Sequence, residues 1–245
     1  MMRLLADARR DAPKAVSLVL NTELTGHDHP IEERLLFKRP ERMRLASIDD
    51  TTTIAVVKEG LAAAGEERAI RPTGPSKNIL ASLLYPRGRD LDEASARLLK
   101  TLAAVGIDSR VVSLGRNEEQ IVYIIGAQPW EAERPQVWLD KVSFLPVRLR
   151  VAASQAGPAA SGTASVASNA AGATGTATAV AERAIGMTEA RYLEYGGGSV
   201  PGLPRVFEEY VNGNLVRHGE VVSGQVHTDL PEALFDVSGA PTRRR

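Results

Sequence analysis

The chain has 245 residues, 30 of them basic, 30 acidic and none cysteine. The charge balance removes the global field that would hold a nucleic acid or an anionic membrane surface. The missing cysteines exclude disulfides, thiolate metal sites and thiol nucleophiles. No stretch approaches the roughly 18 to 20 consecutive apolar residues of a spanning helix, so the chain is expected to be soluble, without a transmembrane segment.

Met2 to Ala12 reads as a short helix stopped before Pro13. Its charges, Arg3, Asp7, Arg9, Arg10 and Asp11, leave no apolar middle of a secretion signal, so an exported form would take its signal from upstream. From Val16 to Leu24 the apolar Val16, Leu18, Leu20 and Leu24 fall on one face and Ser17, Asn21 and Glu23 on the other. Ile31, Leu35 and Phe37 alternate in the same way with Glu32, Arg34 and Lys38, and after Pro40 Met43 and Leu45 alternate with Arg42 and Arg44. This period of two, with one wet and one dry face, belongs to antiparallel sheet. A hairpin, Thr53 to Lys58 and Leu61 to Ile70, turns at Glu59-Gly60.

Ser76 to Tyr85 and Leu91 to Val105 read as helices. In the second, Asp90 and Glu93 form a capping box, Leu91, Ala94, Leu98, Leu102 and Val105 form a stripe, and Gly106 supplies the stop. Strands resume at Ile107 to Leu114, Gln120 to Ala127, Gln136 to Asp140 and Leu145 to Val151. In the last of these Leu145, Val147 and Leu149 are expected on the dry concave face, with Arg148 and Arg150 solvated on the other. About five in six of residues 152–181 are Ala, Gly, Ser or Thr, too little to offset their ordering entropy, and the segment reads as a mobile loop inside a single domain spanning 1–245. Strands then follow at Glu189 to Tyr195, Leu203 to Val211 and Asn214 to His227, the last two joined by the hairpin signal Asn212-Gly213.

Chemical motifs are sparse. His27-Asp28-His29 places two imidazoles and a carboxylate together, but at a hairpin tip without a third ligand cluster, so no metal is expected. Gly196-Gly197-Gly198-Ser199 is not followed by a helix and reads as a strand connection, not a phosphate cradle. Adjacent carboxylates such as Glu66-Glu67, Glu118-Glu119 and Glu208-Glu209 point to opposite faces of a strand and make poor acid/base partners. No catalytic residue, enzyme activity or cofactor is expected. What remains is a mainly β fold of about 11 strands with a few helices, whose apolar concave face the helices only partly cover. Uncovered apolar surface implies a ligand or a partner.

Leu35-Leu36-Phe37-Lys38-Arg39-Pro40, a strand containing Arg44 and the Val57-Lys58-Glu59-Gly60 turn resemble the strand, Lys-Arg-Pro, strand, Asp-Gly-turn passage of the periplasmic lipoprotein carrier family LolA. Val137-Trp138-Leu139-Asp140-Lys141, then Leu145-Pro146-Val147-Arg148-Leu149, and the closing Leu230-Pro231-Glu232-Ala233-Leu234-Phe235 are similar to passages of the wider lipoprotein-sorting superfamily of LolA, LolB and RseB type. Two features depart from the carrier: Leu61-Ala62-Ala63-Ala64 stands where it has aromatic residues, and the 152–181 insert is foreign to it. The resemblance implies a curved antiparallel sheet, an unclosed half-barrel with helices as a lid over its mouth. It also implies a monomeric periplasmic carrier or sorting protein that acts as a chaperone in cell-envelope transport. Its partners would be acyl chains of lipoproteins or lipids and the lipoprotein-sorting proteins of the inner or outer membrane. Arg39 matches the arginine that latches the carrier's lid, and Leu18, Leu20, Leu35, Phe37, Met43, Leu45, Leu145, Val147 and Leu149 would wall the cavity. The other reading is a regulatory or scaffold half-barrel that docks another envelope protein.

Overall fold

The computed structural model describes residues 1–38, 42–47, 52–57, 60–65, 80, 82–86, 88–152, 186–196 and 200–235. Twelve strands form one antiparallel sheet: β1 (Ala15–Leu24), β2 (Ile31–Lys38), β3 (Arg42–Ser47), β4 (Thr52–Val57), β5 (Gly60–Gly65), β6 (Val112–Asn117), β7 (Gln120–Ile125), β8 (Gln136–Asp140), β9 (Pro146–Ala152), β10 (Met187–Tyr195), β11 (Pro204–Val211) and β12 (Asn214–His227). Their spatial order is β5-β4-β3-β2-β1-β12-β11-β10-β9-β8-β7-β6, so β5 and β6 are the two ends and the sheet does not close. Two meanders, β1–β5 and β6–β12, are joined by the long β1–β12 pairing, which runs from Ala15 opposite His227 to Leu24 opposite Arg217. The β11–β12 hairpin turns at Asn212 (φ 50°) and Gly213 (φ 81°), the left-handed pair that a tight two-residue hairpin turn requires.

Helices α1 (Met2–Ala8) and α2 (Leu91–Ala104) and a helical turn at residues 82–84 lie on one face of this sheet. Met2, Leu5 and Ala6 of α1, Leu83, and Ala94, Leu98 and Leu102 of α2 pack with Ile125, Val137, Leu139, Leu149, Val151, Ala190 and Tyr192. The Asp90 side chain accepts from the Glu93 backbone N–H at 2.8 Å, while Glu93 accepts from the Arg89 backbone N–H, closing the first turn of α2. On the opposite sheet face the C-terminal segment packs Leu230 and Phe235 on Ala15 and Leu36. Lys38 Nζ holds that segment through Asp229 at 2.8 Å, Glu232 at 2.9 Å and the Leu230 carbonyl at 2.7 Å.

Local outcomes differ from the sequence reading where tertiary contacts override alternation. The first helix ends at Ala8, with Arg9 as its C-cap. Ile107 does not begin a strand; it is buried in the helix-side core, and β6 starts only at Val112. In β9 the pairing skips a residue, Trp138 facing Arg148 and Leu139 facing Pro146. This bulge turns Val147 away from Leu149, into the opposite-face cluster of Val122, Ile124, Ala127 and Trp138. Arg148 and Arg150 are partly buried, not solvated: both engage the Glu189 carboxylate, at 2.7 and 3.1 Å. The 152–181 insert lies outside the described residues beyond Ala152.

Candidate functional site: an apolar cavity under the helical lid

On the β1–β3 half of the helix-covered sheet face lies an open-mouthed apolar cavity. Leu18 and Leu20 of β1, Leu35 and Phe37 of β2, and Met43 and Leu45 of β3 line it, six of the nine wall residues named from the sequence. They meet because the registers align them: Leu18 faces Leu35, which faces Leu45, and Val16 faces Phe37, which faces Met43. Tyr192 and Phe207, in edge-on contact at 6.3 Å between centroids, form the far wall. Of the remaining three, Leu145 packs beside this site against the Val16–Leu18–Phe37 cluster, Leu149 lies under α2, and Val147 is on the other face.

The roof is the segment carrying Leu80, Leu84 and Tyr85. Tyr85 stacks on Phe37 with ring centroids 4.1 Å apart, and Leu203 closes one side. Arg9, just past α1, ties the roof down: its Nε donates to the Leu84 carbonyl and its Nη2 to the Gly202 carbonyl, both at 3.2 Å. Gly202 (φ 73°) permits this approach, because a Cβ there would stand 2.8 Å from Arg9 Nη1. Arg39, the arginine expected as latch, lies outside the described residues. Arg9 was missed in the sequence because a helix reaching Ala12 would have left it an ordinary helix-surface charge.

One end of the cavity is polar. Thr22, Glu209, Arg217 and Gly219 line it, and Glu33 stands behind them. Glu33 is 1% exposed; its Oε2 accepts from Thr22 Oγ1 at 2.6 Å and from Arg217 Nη2, while its Oε1 has no hydrogen-bond partner. These residues come from β1, β2, β11 and β12, and Glu209 sits directly across from Arg217. One signal for this cluster was present in the sequence. Glu33 is in phase with Ile31, Leu35 and Phe37, and Thr22 with Leu18 and Leu20, so each occupies an apolar position of its strand.

On the opposite face Glu189 gathers Arg148, Arg150 and Arg191. Burial pushes its carboxyl up, but hydrogen bonds from Arg148 and Arg191 outweigh that and hold it below the ordinary glutamate range. Arg148 also lies over the Trp138 ring, 4.8 Å from its centroid, and Arg191 over Tyr210 at 4.4 Å. The histidines are dispersed: His27 and His29 are exposed in the β1–β2 turn, His218 faces Glu208, and His227 bonds Ser17.

No protein-family model and no curated protein matches the sequence. Solved structures do match along nearly the whole chain. A DUF1329 family protein from Desulfovibrio piger aligns at 10% identity and TM-score 0.53, covering 98% of each chain. A LolA superfamily protein from Nitrosomonas europaea aligns at 11% identity and TM-score 0.48, covering 96% of each. A protein described as an outer membrane lipoprotein-sorting protein domain from Vibrio parahaemolyticus aligns at 8% identity and TM-score 0.47, covering 96% of this chain and 95% of its own. At these identities the likeness is one of fold. The fold is an unclosed antiparallel sheet with helices packed on one face. No helix among the described residues is long and apolar enough to cross a membrane.

Proposed function

We propose that this protein carries lipidated cargo in the periplasm, holding acyl chains of lipoproteins or lipids in the apolar cavity as a monomeric, non-catalytic chaperone of cell-envelope transport. The observation that carries the reading is the cavity itself. Its walls between Leu18 and Phe207 are apolar, and its roof is held by the Tyr85–Phe37 stack, the Arg9 hydrogen bonds and the packing of Leu83 and Leu84. An entering chain would displace these roof contacts to reach the cavity. Arg39 would add a second latch from the end of β2. The test is saturable binding of an apolar fluorescent probe to the purified protein, competed by a long-chain alcohol. No saturable binding would reject the carrier reading.

A second reading, docking of another envelope protein, draws support from the β6 end of the sheet. There Val112, Leu114, Ile121 and Val142 are exposed beside an end strand, the kind of surface that protein partners cover. A stable hetero-complex lost on Leu114→Lys, with probe binding intact, would favour this reading over the carrier.

A further inference from the structure

We infer that the sheet face opposite the cavity carries a site for a phosphate monoester, built from Arg148, Arg150 and Arg191. The site is independent of the carrier reading. Leu149 and Val151 of β9 and Ala190 and Tyr192 of β10 point into the helix-side core, so their strand neighbours Arg148, Arg150, Glu189 and Arg191 point the other way. Register then sets the cluster. Arg148 pairs with Arg191 and Arg150 with Glu189 across β9–β10, with Trp138 across from Arg148 on β8 and Tyr210 across from Glu189 on β11. Two arginines directly opposite on one face repel each other, so this pairing calls for anionic charge between them. Glu189 supplies part of it: Oε2 accepts from Arg148 Nη2 at 2.7 Å and lies 3.1 Å from Arg150 Nε, while Oε1 accepts from Arg191 Nε at 2.7 Å.

One carboxylate is thus shared by three guanidinium groups, and among the described residues no other carboxylate is in ion-pair contact with any of them. Glu208 faces Arg191 across β10–β11, but it accepts from Tyr210 Oη at 2.7 Å and lies 3.5 Å from His218 Nδ1, with Glu23 across from that histidine. With Glu208 counted, three cations around Glu189 meet two anions, an excess of one positive charge. The insert that leaves β9 adds only Glu182 and Arg183 to the sequence, which cancel. Two of the guanidinium planes are also fixed by rings, Arg148 over Trp138 and Arg191 over Tyr210, so the cluster is pre-organised rather than a set of loose surface charges. The three side chains are still 22%, 17% and 41% exposed, which keeps them within reach of a solute. A phosphate monoester brings what Glu189 leaves unsupplied: about −1.5 to −2 of charge near neutral pH and three acceptor oxygens suited to guanidinium forks.

The monoester can be free or the head group of a lipid, and the experiment has an arm for each. Glycerol 3-phosphate is titrated into the protein calorimetrically at constant ionic strength, and the protein is co-sedimented with phosphatidylcholine vesicles with and without phosphatidic acid. Saturable binding is expected in the first arm for a free ester, or only on the phosphatidic acid vesicles for a lipid head group. In whichever arm binds, Arg191→Gln should weaken it by about tenfold or more, since it deletes charge-assisted hydrogen bonds. Arg191→Lys keeps the charge but not the fork and should also weaken it; this variant decides should Arg191→Gln fail to fold. Arg110→Gln, at an exposed arginine paired with Asp108 before β6, lowers the net charge equally and should leave binding unchanged. No binding in either arm, or a loss in Arg110→Gln equal to that in the Arg191 variants, would overturn the site.

Discussion

Arg9 is the residue whose position most changes the account of the roof. It sits between the Leu84 and Gly202 carbonyls, and a charged donor to a partly buried carbonyl contributes about 1.5 to 3 kcal/mol. Arg9→Leu should keep the fold but raise hydrogen exchange in the 82–85 segment and increase uptake of an apolar probe; unchanged exchange and uptake would show that Arg9 does not hold the roof. On the other face, Glu189 carries three arginines. Glu189→Gln leaves Arg148 and Arg150 partly buried without their counter-charge and should destabilise by about 2 kcal/mol, less than for a fully buried pair because Arg191 is more exposed. Because the folded carboxyl sits below its ordinary value of 4.5, its contribution is present above that pH and is lost as the pH falls. Chemical denaturation of wild type and variant should therefore converge in acid; a constant gap down to the lowest pH would argue that packing, not charge, is lost.

At the scale of elements, α2 carries the clearest pH signature. Glu93 accepts from the Arg89 backbone N–H first, then from the Arg97 and Arg89 side chains, and its carboxyl is lowered from 4.5 to about 2. A depressed carboxyl stabilises above its unfolded value and loses that contribution on protonation, so the cap of α2 should loosen between about pH 4.5 and about pH 2. Helicity followed by circular dichroism should show this loss in wild type and not in Glu93→Gln; identical acid profiles would remove Glu93 from the cap. This element was legible in the sequence because its cap and stripe are local. So were most strands, since alternation with period two needs no distant partner: β1, β2 and β12 lie within a residue of their expected limits. What local pattern could not supply was the β8–β9 bulge that reverses Val147, or the pairing of β1 with β12. That pairing brings Arg217 to Glu33 across 184 positions of sequence, and with it the polar end of the cavity. The apolar wall, by contrast, was largely readable, since each wall residue is simply the in-phase position of its own strand.

For the whole molecule, we propose one cooperative unit, since strands on both sides of the 152–181 insert, β9 and β10, pair directly with each other. Replacing the insert with a short Gly-Ser link should shift the melting temperature by no more than about 3 °C; a larger fall would mean that the insert packs on the sheet. The central claim is that the cavity between Leu18 and Tyr192 holds an acyl chain. Native mass spectrometry of gently purified protein tests it most directly, comparing wild type with Met43→Trp, whose indole would occupy the space that Met43 leaves beside Phe37 and Leu45. Adducts of acyl-chain mass are expected on wild type, and their loss from a folded Met43→Trp. Adduct-free wild type that also fails to take up added long-chain amphiphile, or adducts that persist undiminished in Met43→Trp, would contradict it.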